Sequence, residues 1–473
     1  MAGLLKANFS TSGYFLRPLI WRKHSNTNLR SNRHSCDQNG LSLIEKLMCT
    51  DKSNKLVIDE IATEEIQVKG VDSLKLPKGW MKQKAFLSTL DIFISLFIVT
   101  PLVVACWRGT WQLMDIYAYY FPPWESFVVG TIIHIFIGIT QESFHEVLNR
   151  KHKNGIINFS AIFLMKLYTV VLNIVTNLHW RGAWIIIDEY FGIVMTETGE
   201  TKVARPFEAF LFFGFCFTVM FFMKCLRNLN SPPFEICMDY GDDMFLFPNM
   251  FKVNPSEKMS LYILDVTFSI VVVTNLGVVV WRGLWLLVDL YLFPEDLLLS
   301  SWASLFLGYI MVAIVFALQS PMKKVCDNLS GIPKLIIADT YLVFAVLSVI
   351  VTWRGIWSLI NFYFLPEDEE LSCWISHWVP MMILMIMGCS NSVLVRGVCI
   401  DCEEPDGTCV VFPCNYLKVI FKEEKYETWF TILAGKNKTK KDNTKYKIDI
   451  INYHVVDIKE TIIESNDSNN NLP

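Results

Sequence analysis

Apolar and polar positions alternate along this chain on the scale of whole spans. Eight apolar runs stand out, at about 86–107, 124–146, 160–180, 206–225, 261–281, 301–320, 335–353 and 374–395. A helix rises about 1.5 Å per residue and a bilayer's hydrocarbon core is about 30 Å thick, so about 20 apolar residues cross it. Charges are sparse inside the runs, which argues against buried helices of a soluble protein. The flanks, 1–83 and 397–473, are polar.

Each odd-numbered run ends in one recurring string. It reads Trp107-Arg108-Gly109-Thr110-Trp111, Trp180-Arg181-Gly182-Ala183-Trp184, Trp281-Arg282-Gly283-Leu284-Trp285 and Trp353-Arg354-Gly355-Ile356-Trp357. Four residues past each second Trp stand Asp115, Asp188, Asp289 and Asn361. The copies within a pair are too far apart for a solenoid unit of a few tens of residues.

The spacings have a higher order. Trp107 and Trp281 are 174 residues apart, Trp180 and Trp353 are 173 apart. Asp91 and Asp265 precede the first and third motifs by 16 positions, and Lys166 and Asp339 precede the second and fourth by 14. In the even runs Trp124-x-Ser-x-x-x-Gly130 with Gln141 parallels Trp302-x-Ser-x-x-x-Gly308 with Gln319. Gly214 and Gly388 are expected at similar places in the other two. These offsets predict an all-α polytopic membrane protein with eight transmembrane helices, a tandem duplication of a four-helix half. The expected organisation is an N-terminal tail over 1–83, a first half over 84–230, a linker over 231–260, a second half over 261–396 and a C-terminal tail over 397–473. An even number of spans per half inserts both halves the same way up, related by an axis along the membrane normal.

Lys and Arg in short loops set orientation. Loops after the even runs are basic (Arg150, Lys151 and Lys153; Lys323, Lys324 and Lys334), whereas Phe293-Pro294-Glu295-Asp296 and the run from Leu365 to Glu370, after odd ones, are acidic. Both tails and the linker are therefore expected to be cytoplasmic, with every motif toward the outside of the plasma membrane.

Two readings of the motif follow. In one, Trp107 and Trp111 join an interfacial aromatic belt and Arg108 snorkels to headgroups. In the other, Arg108, Trp111 and Asp115 share a face, and four such faces meet as a ring of cations stacked on indoles and countered by carboxylates. That ring could be structural or could hold an anion or a lipid headgroup. Lys166 is expected to pair with Asp339 or Asp265. His134, Gln141, Glu208, Gln319 and Asn391 are the other polar residues inside the runs, and packing hydrogen bonds account for such groups.

Composition adds exclusions. Apolar residues make up 52% of the chain, charged ones 19%, and the net charge is −4, so nothing points to nucleic acid as a partner. There is no P-loop, G-x-S-x-G or H-E-x-x-H, and neither enzymatic activity nor a cofactor is expected. The Cys399-Ile400-Asp401-Cys402 pair with Cys409 and Cys414 is a weak zinc pattern because its gap is short. Cys225, Cys326, Cys399 and Cys402 are juxtamembrane thiols open to palmitoylation. Only Cys373 falls in an outer loop, so no disulfide framework is implied. Sequons at Asn8, Asn158, Asn328, Asn437 and Asn466 all lie on the expected cytoplasmic side. The first 36 residues lack Asp and Glu but hold Lys6, Arg17, Arg22, Lys23, Arg30 and Arg33. A transit peptide has this composition, and so does a cytoplasmic arm drawn to anionic lipid, the preferred expectation here.

Over 85–395, the eight spans and four W-R-G-x-W segments with a following Asp resemble the fuseless family of insect and other invertebrate membrane proteins. The resemblance implies a multi-pass neuronal membrane protein needed for neurotransmitter release. Its implied partners, beyond the lipid bilayer, are presynaptic voltage-gated calcium channels or other presynaptic membrane proteins, which it would organise. A carrier or channel for an anionic solute or lipid, working through the Arg/Asp faces, is the alternative. Asn361 and Lys166 depart from the chain's own repeat and weaken any scheme of four identical ligand sites.

Overall fold

The computed structural model describes residues 78–153, 159–196, 200–239, 245–256, 258–395, 397–403, 406–414 and 416–417. The chain divides into Met1–Leu76 and Pro77–Pro473, and the description concerns the second unit. The basic stretch 6–33 and the lysine-rich run 434–447 lie outside the described residues.

The described residues are mostly helical. The helices are α1 (Lys78–Ile94), α2 (Thr100–Ile116), α3 (Pro123–Lys153), α4 (Phe159–Phe191), α5 (Pro206–Phe222), α6 (Met259–Phe268), α7 (Asn275–Tyr291), α8 (Leu297–Asp327), α9 (Gly331–Tyr363) and α10 (Glu369–Met387). α1 and α2 form one continuous rod through a π-helical turn, Ser95–Val99, and α6 and α7 join likewise through Ser269–Thr274. A short antiparallel pair, β1 (Ile193–Met195) and β2 (Thr201–Val203), links α4 to α5. Seven of the rods among the described residues are long and apolar enough to cross a membrane, for example Phe86–Ile116 and Met259–Tyr291. α5 is also apolar but has only 17 residues.

The helices continue through every W-R-G-x-W string instead of ending there. At 3.6 residues per turn, each step rotates a side chain by about 100°. In α2 the two Trp of the motif, four apart, therefore share one face, Arg108 turns to the side, and Gly109 turns to the back. α2, α4, α7 and α9 gather with their Trp faces inward. Each packs its glycine face on one outer helix: α2 on α10, α4 on α3, α7 on α5 and α9 on α8. A β-carbon on Gly109 would lie 2.5 Å from the His377 nitrogen, on Gly182 2.5 Å from that of Phe127, and on Gly355 2.5 Å from that of Leu305. On Gly283 it would lie 2.7 Å from Cγ of Phe213. The motif glycine is thus required by backbone approach, the small-residue packing of membrane helices. Gly130 and Gly308 complete two crossings from the other side, against His179 and Thr352.

The pairing is cyclic, because the first inner helix receives the last outer one. Acidic loops start two of the outer helices: Asp296 and Asp368 accept the Leu299 and Leu371 N–H as N-caps. At the opposite end, two connecting segments fold back under the bundle. The first follows α5 and the second follows α10; each begins with a 3-10 turn, Leu226–Leu229 and Ser390–Val393. They cap one another. Asp401 of the second accepts the Leu226 and Arg227 N–H at 2.7 and 2.9 Å, and Asp239 of the first accepts those of Ser390 and Asn391 at 2.9 and 2.7 Å. The Asp401 and Asp239 N–H groups in turn donate to the Lys224 and Gly388 carbonyls. Burial pushes the Asp401 carboxyl up to about 6, against the pull of its two backbone donors.

The paired polar residues of the spans anchor these connectors. Gln141 accepts from the Phe247 N–H and Gln319 from that of Phe412. Asp265 accepts from Phe251 and Val253, and Asp91 from Leu417. The segment past residue 396, placed in a polar tail by its composition, thus continues the packed body. Val398, Cys409, Val410, Phe412 and Tyr416 are in the core, and Phe412 stacks on Phe234 of the other connector. The 231–260 linker is equally engaged, with Phe234 and Phe245 buried.

Two expectations need correction. Lys166 pairs with Asp239, not with Asp339 or Asp265, because the first connector brings a carboxylate to it. Gly214 and Gly388 do not share a place: a β-carbon on Gly214 meets nothing within 4 Å, whereas Gly388 ends α10 in the left-handed region, φ 71°.

A tryptophan-lined cavity inside an arginine girdle

The inward faces of the four motif helices build two stacked squares of indoles. In the first, the ring centroids run Trp107–Trp180 5.7 Å, Trp180–Trp281 6.0 Å, Trp281–Trp353 5.4 Å and Trp353–Trp107 6.0 Å. In the second they run Trp111–Trp184 5.6 Å, Trp184–Trp285 5.8 Å, Trp285–Trp357 6.2 Å and Trp357–Trp111 6.0 Å. Every contact is edge-to-face, the arrangement that the aromatic quadrupole favours by about 0.5–1.5 kcal/mol per pair. The first square is almost wholly buried, its members 5–9% exposed.

The arginines form a girdle outside the indoles. Arg181 Nε donates to Asp115 at 2.6 Å, Arg282 to Asp188 at 2.5 Å and Arg354 to Asp289 at 2.7 Å; Arg108 closes the circle on Asn361 Oδ1 at 2.9 Å. Each guanidinium therefore reaches the acidic position of the preceding motif helix, and Arg282 also lies 3.8 Å from Asp289 of its own. Three of them make further bonds through Nη1: Arg108 to Ser372 and Ser376, Arg181 to the Phe121 carbonyl, Arg354 to Ser304. The guanidinium of Arg282 also lies over the Trp184 ring, 5.1 Å from its centroid. All four arginines are at most 5% exposed. They bind between helices and do not fan out to headgroups. The exposed aromatics at this end are others, among them Tyr119, Tyr120, Trp124, Tyr291 and Tyr363.

Both squares line a cavity of about 280 Å³ that runs toward the connectors. Its far wall holds Asn228, Asn230, Ser231, Glu235, Ser392, Gly397 and Cys399. Cys399 on this wall is exposed. Three indoles of the first square donate Nε1–H to connector carbonyls: Trp107 to Val393 at 2.8 Å, Trp281 to Leu229 at 3.0 Å and Trp353 to Pro232 at 2.9 Å. Trp180 is the exception. Its Nε1 is buried without a hydrogen-bond partner, as are Oδ1 of Asn230 and Oγ of Ser231, two other lining residues.

The remaining candidates have structural places. His134 packs beside His179, ring centroids 5.9 Å apart. Asn391 accepts from Thr169, and Glu208 lies 3.8 Å from Arg205 on the surface. Among the described residues no cluster of three or more His, Cys, Asp or Glu is placed to hold a metal ion. Cys402 and Cys409 are 3.8 Å apart. Of the juxtamembrane thiols, Cys225 and Cys326 are buried, which leaves Cys399 and Cys402 with accessible surface. The cavity's connector residues were not anticipated. The available signal was spacing, since Cys225 and Cys389, at the heads of the two connectors, stand 164 apart.

Apolar rods of membrane length, small-residue crossings and buried interhelical ion pairs define a multi-helix membrane protein with a central cavity. The chain belongs to the Fuseless family, whose model matches residues 86–394, about two thirds of the sequence. No curated protein and no solved structure matches it.

Proposed function

We propose that this is an eight-span protein of the neuronal plasma membrane that supports neurotransmitter release by holding presynaptic calcium channels in place. In this reading a duplicated four-span half gives both termini to the cytoplasm. The eighth span is α5, which docks on its inner helix as the other outer helices do; its 17 residues reach about 25 Å, slightly less than the hydrocarbon core. The 174-residue equivalence of Asp91 with Asp265, each anchoring a connector, supports the duplication. Family membership supports the neuronal role.

One observation carries the preference for an organiser: the cyclic Arg–Asp/Asn girdle, in which each arginine Nε donates to the neighbouring motif helix. A closed ring of interhelical bonds favours one packing, whereas transport needs at least two of similar stability. Anion carriage by the arginines gains little support, since none of them lines the cavity. The test is calcium-channel density at terminals lacking the protein, with and without re-expression of the full chain. A drop that re-expression restores supports the reading. Normal channel density alongside impaired release would refute it.

A further inference from the structure

Three thiols meet where the second connector crosses the end of α8. Cys402 Sγ lies 3.8 Å from Cys409 Sγ, and Cys409 also hydrogen-bonds with Cys326 of α8. Cys326 and Cys409 are buried, whereas Cys402 keeps accessible surface. We propose that Cys402 and Cys409 are a reversible disulfide pair, oxidised by a peroxide and restored by a dithiol, whose closure locks the second connector. The backbone carrying the two thiols is held at several points. Asp401, just before Cys402, accepts from the Leu226 and Arg227 N–H and donates its own to the Lys224 carbonyl. Arg227 grips the far side, donating to the Cys409 carbonyl at 2.9 Å and to that of Val411 at 3.1 Å. Between them Lys334 donates to the Asp406 carbonyl at 2.7 Å, and the Gly407 N–H to Asp327 at 2.5 Å. Cys402 itself holds φ 56°, an uncommon value for a residue with a β-carbon. The thiol contact is thus set by the fold. A disulfide is about 2.05 Å long, so the sulfurs must close by about 1.8 Å, within reach of side-chain rotation.

The chemistry balances with hydrogen peroxide as oxidant. The accessible Cys402 sulfur attacks a peroxide oxygen, becomes a sulfenic acid and releases one water. The Cys409 sulfur then attacks that of Cys402, the S–S bond forms, and the hydroxyl leaves with the Cys409 proton as a second water. The thiolate is the nucleophile. The Cys409 contact, and after it burial, pushes the Cys402 thiol up, so oxidation is slow at pH 7 and quickens as pH rises. Asp339 and Lys334 are the charged groups that act on Cys402, and Lys334 and Asp327 those that act on Cys326. The bond closes a short loop, 402–409, between the Asp401 cap and the Arg227 grip. A crosslink there leaves the unfolded connector fewer conformations and so favours the docked one. On the cytoplasmic side, where the proposed topology puts it, the pair starts reduced. The contact between the thiols does not depend on that topology.

Thiol mapping on the purified full chain tests the pair. The protein in lipid nanodiscs is reduced with dithiothreitol, desalted and treated with hydrogen peroxide, and the remaining thiols are blocked with N-ethylmaleimide. Trypsin leaves Cys399, Cys402, Cys409 and Cys414 in one peptide, since no Lys or Arg lies between Arg396 and Lys418, and puts Cys326 in another. Cleavage after Glu403 then parts Cys402 from Cys409 unless a bond joins the pieces, and fragmentation assigns the linked cysteines. The expected result is a Cys402–Cys409 bond that marks the peptide by a loss of about 2 Da, one hydrogen from each thiol. It should form faster at pH 9 than at pH 7 and disappear with dithiothreitol. Oxidation should raise the melting temperature of the wild type by about 2 °C or more and leave that of Cys402→Ser where it was. Four blocked thiols in the peptide, or a bond in another pair such as Cys326 with Cys409, overturns the proposal. So does a Cys402–Cys409 bond that leaves the melting temperature unchanged.

Discussion

At the scale of the residue, the girdle shows how one substitution breaks a four-fold pattern without breaking the ring. Asn361 Oδ1 accepts from Arg108 Nε and from Gln112 Nε2, so the position acts as an acceptor. A carboxylate fits that role better and would neutralise the one guanidinium that lacks one. Asn361→Asp should therefore raise the melting temperature by a few degrees, measured by size-exclusion recovery after heating. Asp289→Asn should do the opposite. Arg354 would lose its carboxylate at 2.7 Å and Arg282 its second at 3.8 Å. Removing one partner of a buried pair costs about 3–5 kcal/mol. Equal melting of the two variants would contradict the girdle's role in stability.

At the scale of the element, glycine positions divide by what faces them. Gly355→Ala would put a β-carbon 2.5 Å from the Leu305 backbone nitrogen, where no side chain can yield, and should abolish recovery of folded protein. Gly214→Ala meets open space on an apolar helix and should be neutral or gain up to about 1 kcal/mol from helix propensity. The connectors carry a pH signature. Asp401 holds its proton up to about 6 in the fold, whereas in an unfolded chain it releases it near 3.9. Between those values the folded state binds more protons, so this group's contribution to stability falls as pH rises through the window. The melting-temperature gap between wild type and Asp401→Asn should accordingly be wider at pH 5 than at pH 7. A constant gap would mean that Asp401 titrates normally.

At the scale of the whole molecule, closure is cyclic: α10 packs on α2, Arg108 bonds to Asn361, and Leu417 reaches Asp91. The second connector therefore does for the start of the first half what the first connector does for the second. Truncation after 396 removes the bonds to Asp91, Gln319 and the Leu226–Leu229 turn and should collapse the yield of folded protein. A yield equal to that of the full chain would show that the connector is dispensable.

Much of this was legible in the chain, for a physical reason. Hydrocarbon demands long apolar helices, and a repeated string at their ends marks repeated packing, so the spans, the motif and the paired Gln141 and Gln319 stood out. Residues whose role rests on a neighbour far along the chain did not. Nothing local says that Arg181 meets Asp115 and not Asp188, or that Lys166 finds Asp239. Trp107 and Trp111 could equally have faced an interface. Which residues recur, at what spacing, and that they ride on apolar helices can be read along the chain. That the tryptophans turn inward, that the arginines link neighbours in a circle, and that the polar segments after α5 and α10 fold back to wall a cavity comes from packing between distant parts of the chain. Periodicity is set by each helix separately, whereas partners are set by the order in which the four motif helices close into a ring.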